Sequence, residues 1–182
     1  AALKLHGEVA NRLDEIDKIV ITTQESGHRI INKVGKLDNP ADRDHCIQYM
    51  VAVPLIFGRL VADDYEDSVA KDGRIDALRE KMVVEVDERY TKEYLEADKR
   101  SIANAVQVFF KDGSHTAKVE VEYPIGHKRR RNEGIPVLVS KFKANLATRF
   151  STKQCEQIFA LFEDEQKLFN TNFNEFSDFF VL

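Results

Sequence analysis

Residues 39–61, NPADRDHCIQYMVAVPLIFGRLV, constrain this chain more than any other stretch. Asn39 can accept a hydrogen bond from a free backbone N–H, and Pro40 suits a first helical position because it has no N–H to lose. Asp42 and Asp44 put negative charge where a helix dipole is positive. From Ile47 onward the apolar residues are too dense for a single stripe, running through Met50, Val51, Val53, Leu55, Ile56, Phe57 and Leu60. A helix apolar on most of its circumference is buried, and Pro54 is expected to kink it by removing the bond to the Met50 carbonyl.

On one continuous helix Asp42, His45 and Tyr49 stand at i, i+3 and i+7 and share a face. A carboxylate, an imidazole and a phenol at the mouth of a greasy rod can move protons. The plainer alternative makes Asp42 and His45 solvated helix-start residues and Tyr49 a core tyrosine with its hydroxyl bonded.

A chain of 182 residues with 43% apolar content can build a core without staples. A net charge of −4 gives no case for a general nucleic-acid binder. Cys46 and Cys155 lie far apart, which points to free thiols in a reducing compartment and is too few for an iron–sulfur cluster held by this chain. No apolar run approaches the ~20 residues of a membrane span. The N-terminus has no leader architecture and starts as though inside a helix, so the chain is expected to be part of something longer.

In order, residues 3–14 read as an amphipathic helix, residues 17–23 as a β-branched strand, and residues 25–34 as a helix stopped by Gly35. After the central helix come two short helical segments, residues 63–72 and 73–81, and a strand over residues 82–86. Residues 87–99 read as an irregular excursion. Val106, Val108 and Phe110 alternate toward an Asp112-Gly113 turn, and Ala117, Val119, Val121 and Tyr123 alternate on the return, a hairpin with one wet face. The expected class is α+β, a small mainly antiparallel sheet covered by helices. Past Pro124 a basic loop leads to an amphipathic helix over residues 135–150, with Leu138, Phe142, Leu146 and Phe150 on one stripe. A second helix begins at the Ser151 cap, and a tail with Phe173, Phe176, Phe179 and Phe180 calls for a partner surface.

The cluster Lys128, Arg129, Arg130 and Arg131, following His127, suits a small polyanion, because arginine binds carboxylate or phosphate through two parallel N–H groups. A solvated loop is the simpler account. No aromatic residue interleaves with it, which weakens a nucleic-acid reading. The five histidines show no HxxxH or HxH spacing, so no dedicated metal site is expected. Glycine-rich phosphate loops and GxSxG are absent, and His45 and Cys46 fall on different helix faces, so nucleophilic catalysis is poorly supported.

The blocks RLDEIDKIVITTQESGHRIINKVG, NPADRDHCIQYMVAVPLIFG, DKRSIANAVQVFFKDGS, VEYPIGHKRRR and KFKANLATRF closely resemble the MmgE/PrpD family over essentially the whole chain. The resemblance covers the C-terminal two-fifths or so of a full-length member. It implies an α+β lid inserted between parts of a large helical domain, with the active site in the cleft. On that division, residues 1–133 are lid-like, and residues 134–182 are helices returning to a helical domain that this chain does not contain.

Members of the family are lyases acting on small tricarboxylates. The resemblance implies dehydration of 2-methylcitrate to 2-methylaconitate in propionate catabolism, by acid–base side chains, without a cofactor or metal. A related cis-aconitate decarboxylase chemistry, and a non-catalytic oligomerisation or anion-binding fragment, are the alternatives. Tyr49 of the HxxQY block carries over as a catalytic position and His45 as a second. Gln48 is expected to bind substrate, with anion attraction from His127, Lys128, Arg129 and Arg130. The family's remaining catalytic aspartate, histidines and lysines fall outside this chain. A homodimer is implied, with no nucleic-acid or membrane partner, in the cytoplasm or the mitochondrial matrix of a eukaryote.

Overall fold

A computed structural model describes residues 1–182. The chain divides into two compact units, Ala1–Pro124 and Ile125–Leu182. The boundary lies before the basic loop, which therefore belongs to the second unit.

The first unit is α+β, as expected. Four strands, β1 (Ile16–Thr23), β2 (Met82–Val86), β3 (Asn104–Phe110) and β4 (Val119–Val121), form one sheet in the order β2-β1-β3-β4. β1 runs antiparallel to β3, and β3 to β4, while β1 and β2 are parallel. A parallel neighbour needs a long crossover. Here it carries α2 (Glu25–Ile31), α3 (Pro40–Asp44), α4 (Ile47–Phe57), α5 (Asp67–Ala70) and α6 (Gly73–Arg79).

Register explains which side chains face inward. Ile19 sits opposite Val108 and Ile21 opposite Val106, and all four are buried with Ile16 and Phe110. α1 (Ala2–Val9), α4 and α6 cover this surface, through Leu5 and Val9, Val53 and Leu55, and Ile75 and Leu78. Gly113, at φ +84°, supplies the positive angle of the turn, and the Asp112 carboxylate accepts from the Ser114 N–H at 2.8 Å. The return strand is shorter than the alternation suggests. The Thr116 hydroxyl accepts the Val108 N–H at 3.1 Å, so a side chain takes over the ladder there.

Two expectations fail for local reasons. Residues 87–99 contain α7 (Glu88–Leu95), capped by Asp87, whose carboxylate accepts from the Arg89 and Tyr90 N–H groups. Its charge density masks an inward face, on which Tyr90 is fully buried. The central helix is not continuous. α3 ends at Asp44, His45 takes φ −108° and ψ 28°, and Cys46 is extended before α4 begins. Asn39 caps α3 as read, accepting from the Asp42 N–H at 3.0 Å. α4 is buried along nearly its whole length and carries Pro54 inside it. It closes on Gly58 at φ +66°, a left-handed cap that a Cβ would spoil, since it would stand 2.8 Å from His6 Cδ2.

The second unit is helical: α8 (Arg131–Ala147), α9 (Thr152–Glu163), α10 (Glu165–Asn170) and α11 (Phe173–Asp178). α8 starts earlier than predicted and ends before Phe150, and Leu138 is exposed while Leu146 is buried. Gly134 allows its first turn to lie over the Ile125 carbonyl, which an added Cβ would meet at 2.4 Å. Ser151 caps α9, accepting from the Gln154 N–H at 3.3 Å. The aromatic tail finds much of its partner surface inside the unit. Phe176 lies 6.2 Å from Phe162 and 5.2 Å from Phe180, which in turn lies 6.0 Å from Phe150. Phe173 stays exposed.

Candidate functional site

Tyr49 stands in the first turn of α4, where the helix has entered the core, and is 2% exposed. Its hydroxyl donates to the Asp64 carbonyl at 2.7 Å, and its ring stacks on Tyr65 with centroids 5.9 Å apart. The acceptor is held firmly. The Asp64 carboxylate is fully buried, accepts from the Val61 N–H at 2.9 Å, and pairs with the Arg59 guanidinium at 2.9 Å.

Burial pushes the Tyr49 phenol above its ordinary range. The nearby Arg43 charge pulls the other way, and Asp64 adds to the rise. At neutral pH the group is therefore a hydrogen-bond donor and proton source, not a base.

Tyr49 is not sealed away. It lines a hollow of about 290 Å³ together with Arg43, Arg79, Lys36 and Lys71. Arg43 donates to the Tyr65 carbonyl at 2.8 Å and pairs with Asp67 at 2.7 Å. Arg79 pairs with Asp76 at 2.5 Å and donates to the Gly35 carbonyl at 2.7 Å.

The break at residues 45–46 dissolves the shared face expected for Asp42, His45 and Tyr49. Each has its own partners. Asp42 accepts from Asn39 Nδ2 at 2.9 Å, and His45, with its side chain 64% exposed, pairs with Asp44. Gln48 is buried and engaged at both ends of its amide. Nε2 donates to Asn32 Oδ1 at 2.5 Å, and Oε1 accepts from Cys46 Sγ at 3.3 Å. Asn32 in turn bonds His28 Nε2 at 3.2 Å.

His127, Lys128, Arg129 and Arg130 lie in the other unit. His127 caps a 3₁₀ turn over Lys128–Arg130, its Nδ1 accepting from the Arg129 N–H at 3.1 Å, and Arg130 pairs with Glu133 at 2.7 Å.

Arg43 and Arg79 escaped the sequence reading. For Arg79 a signal exists, since it follows the buried Ile75 by four residues and shares its helix face. Arg43 sits in a five-residue helix, too short for any period.

No group of three or more His, Cys, Asp or Glu side chains gathers in metal-binding geometry, and no helix is long and apolar enough to cross a membrane. A comparison with known families matches residues 1–165 to the MmgE/PrpD C-terminal domain. The chain belongs to the MmgE/PrpD family. Among curated proteins it is 55% identical over 168 residues to a protein of Salmonella typhimurium named 2-methylcitrate dehydratase, covering 92% of this chain and 35% of that protein. A 2-methylcitrate dehydratase of Cupriavidus necator is 52% identical over 185 residues, covering 100% of this chain and 38% of its own length. "2-methylcitrate dehydratase, mitochondrial" of Yarrowia lipolytica is 50% identical over 184 residues, covering 100% and 35%. The chain thus spans little more than a third of these relatives. The match takes in both the hollow beside Tyr49 and the basic loop of the second unit.

Proposed function

We propose that this chain is the C-terminal portion of a 2-methylcitrate dehydratase, a hydro-lyase that removes water from 2-methylcitrate to give 2-methylaconitate in propionate catabolism. The observation that carries this reading is the identity of 50% to 55% with proteins of that name, over 92% to 100% of this chain.

Dehydration takes a proton from the carbon next to a carboxylate and expels hydroxide from the neighbouring carbon. One base and one acid, both positioned, supply that traffic. Tyr49, held protonated by burial, serves as the donor. It gives a hydrogen bond or a proton to a substrate oxygen, leaving Asp64 to do so. His45, exposed and paired to Asp44, is the second acid–base group from this chain. Gln48 reaches substrate by exchanging its bond to Asn32. The base and the remaining ionisable groups come from a preceding helical domain. His127, Lys128, Arg129 and Arg130 add a positive field that draws in a tricarboxylate. The working protein is a homodimer in the cytoplasm, or in the mitochondrial matrix of a eukaryote.

The test is to incubate the complete polypeptide carrying this chain with 2-methylcitrate and follow the ultraviolet absorbance of the alkene conjugated to a carboxylate. Alkene formation with loss of water supports the reading. Release of carbon dioxide from an unsaturated tricarboxylate, without dehydration, replaces it with decarboxylation. The 182-residue chain alone is expected to turn over neither substrate.

A further inference from the structure

Asp64 is fully buried, and each of its polar groups is committed. Its N–H donates to the Val61 carbonyl at 3.0 Å. Carboxylate Oδ2 accepts from the Val61 N–H at 2.9 Å, and Oδ1 from Arg59 Nη2 at 2.9 Å and Nε at 3.1 Å. Its backbone carbonyl accepts the Tyr49 hydroxyl at 2.7 Å. A carboxylate wholly out of water needs a countercharge and donors for its oxygens. Among the groups bonded to this one only Arg59 carries a charge, and its side chain is 56% exposed.

The same bonds have a second effect. A phenol has one hydrogen to give, and here it goes to a carbonyl whose own residue cannot shift without straining the Arg59 pair. The chain leaves α4 at the left-handed Gly58, which brings residues 59–64 back within reach of the Tyr49 hydroxyl. The Tyr49 ring is stacked on Tyr65, the residue next to Asp64, with centroids 5.9 Å apart. Ring and hydroxyl are therefore both set by one short turn, and Arg59 pins that turn. The other charges that bear on the phenol, Arg43 on α3 and Asp76 on α6, are paired elsewhere, with Asp67 and Arg79. Tyr49 lines the hollow, and Arg59 stands outside its wall.

We propose that Arg59 is a positioning residue: by clamping the buried Asp64 carboxylate it fixes the carbonyl that receives the Tyr49 hydroxyl, and so fixes where the phenol stands in the wall of the hollow. This rests on the dehydratase reading, in which Tyr49 touches substrate. With ring and oxygen both held, the O–H changes acceptor by rotating about its own C–O bond, from the Asp64 carbonyl to a substrate oxygen. Without the clamp the buried carboxylate loses its countercharge and draws in water or a proton. The turn then loosens and the phenol loses its fixed place. A displacement of about 1 Å at a reacting group can cost about 10²-fold in rate.

The experiment measures dehydration of 2-methylcitrate by the complete polypeptide carrying R59A, R59K, Y49F, or R59A with Y49F. Each variant's fold is checked by circular dichroism. R59A is expected to lower kcat by about 10–100-fold with KM within about twofold of wild type, because the lost placement is felt in the transition state. R59K keeps the countercharge without the parallel N–H groups, and is expected to recover about tenfold of that loss. In the Y49F background R59A should cost nothing further, since its route to the chemistry is gone, whereas a purely structural role would go on costing the same factor. If R59A does not fold, the same cycle is run with R59K. Equal factors with and without the Tyr49 hydroxyl, an unchanged kcat in folded R59A, or a rise in KM alone overturns the proposal.

The function it rests on fails separately. If dehydration runs and the two changes act independently, the clamp falls and the function stands. If the wild-type polypeptide does not dehydrate 2-methylcitrate, the dehydratase reading falls, and the clamp is judged from urea unfolding of Y49F, R59A and the double variant. Their effects should then be less than additive, because both act on the one bond between Tyr49 and Asp64. Additive effects overturn the clamp.

Discussion

The hydroxyl of Tyr49 donates to the backbone carbonyl of Asp64 across 2.7 Å. One bond thus joins the start of the buried helix to the short 3₁₀ turn Ala62–Tyr65 that follows it. The same phenol lines the arginine-bearing hollow, and the proposed function gives it a ligand contact beside its packing role. Y49F separates the two roles. Removing the hydroxyl strands a buried carbonyl and is expected to cost about 1–3 kcal/mol in urea unfolding. In the complete polypeptide it should lower dehydration by roughly 10²–10⁴, the usual worth of a positioned acid. Unchanged turnover in a destabilised variant would make Tyr49 structural alone.

The glycines predict opposite signs at three places. G58A forces a side chain into a backbone at φ +66° and against His6, and is expected to destabilise by about 1–2 kcal/mol from the left-handed conformation alone. G134A meets the Ile125 carbonyl and should also destabilise. Gly7, within α1, has nothing near the position of a Cβ, so G7A should stabilise by about 0.5–1 kcal/mol. Thermal unfolding of the three variants checks the order.

The Tyr90 hydroxyl donates to Glu120 at 2.6 Å, and Arg89 grips the same carboxylate at 2.8 Å, joining α7 to β4. The hydrogen bond from Tyr90, then Arg89, holds the Glu120 carboxyl below its ordinary range. Burial, then Glu120, raises the Tyr90 phenol. A depressed carboxyl contributes stability that is complete above the unfolded value, near pH 4.3, and is lost as pH falls through the folded one. A raised phenol contributes below its unfolded value, near pH 10, and loses it as pH climbs further. Y90F should therefore be less stable than wild type at neutral pH by about 1–2 kcal/mol. The gap should narrow toward both acid and alkali. Urea unfolding across pH reads this directly, and a gap independent of pH would refute it.

Cys46 is fully buried, its thiol donating to Lys33 and Gln48 oxygens, whereas Cys155 is partly accessible. A thiol reagent added to the native chain should label Cys155 first. Cys46 should follow only at the rate of unfolding, or of local opening around α4.

Much of the fold was legible from local chemistry. The caps at Asn39 and Ser151, the turn at Gly113, and the alternation in β3 each followed from a few adjacent residues, whereas Gly35, read as a helix stop, lies beyond the end of α2 at Ile31, and the left-handed cap at Gly58 was not read. What was not legible depends on partners distant in sequence. α7 looked irregular because Tyr90 finds its acceptor at Glu120, thirty residues on. The split between α3 and α4 has no breaker residue at positions 45–46 to announce it, and with it went the supposed face joining Asp42, His45 and Tyr49. The hollow was hidden for a related reason. A buried arginine is indistinguishable in sequence from a solvated one until the carbonyls of Tyr65 and Gly35 come into place.

The parallel pairing of β1 with β2 has a kinetic consequence. β1 ends at Thr23, while its neighbours in the sheet begin at Met82 and Asn104, so neither can zip onto it from a tight turn. Large loops must close before the centre of the sheet gains any enthalpy. Such topologies refold on the millisecond-to-second scale, not in microseconds. The β3–β4 hairpin is the one piece able to organise early. The exposed link at Gly35 and Lys36 offers a place to sever the chain, after which the two pieces should still find each other, since everything that joins them is non-covalent.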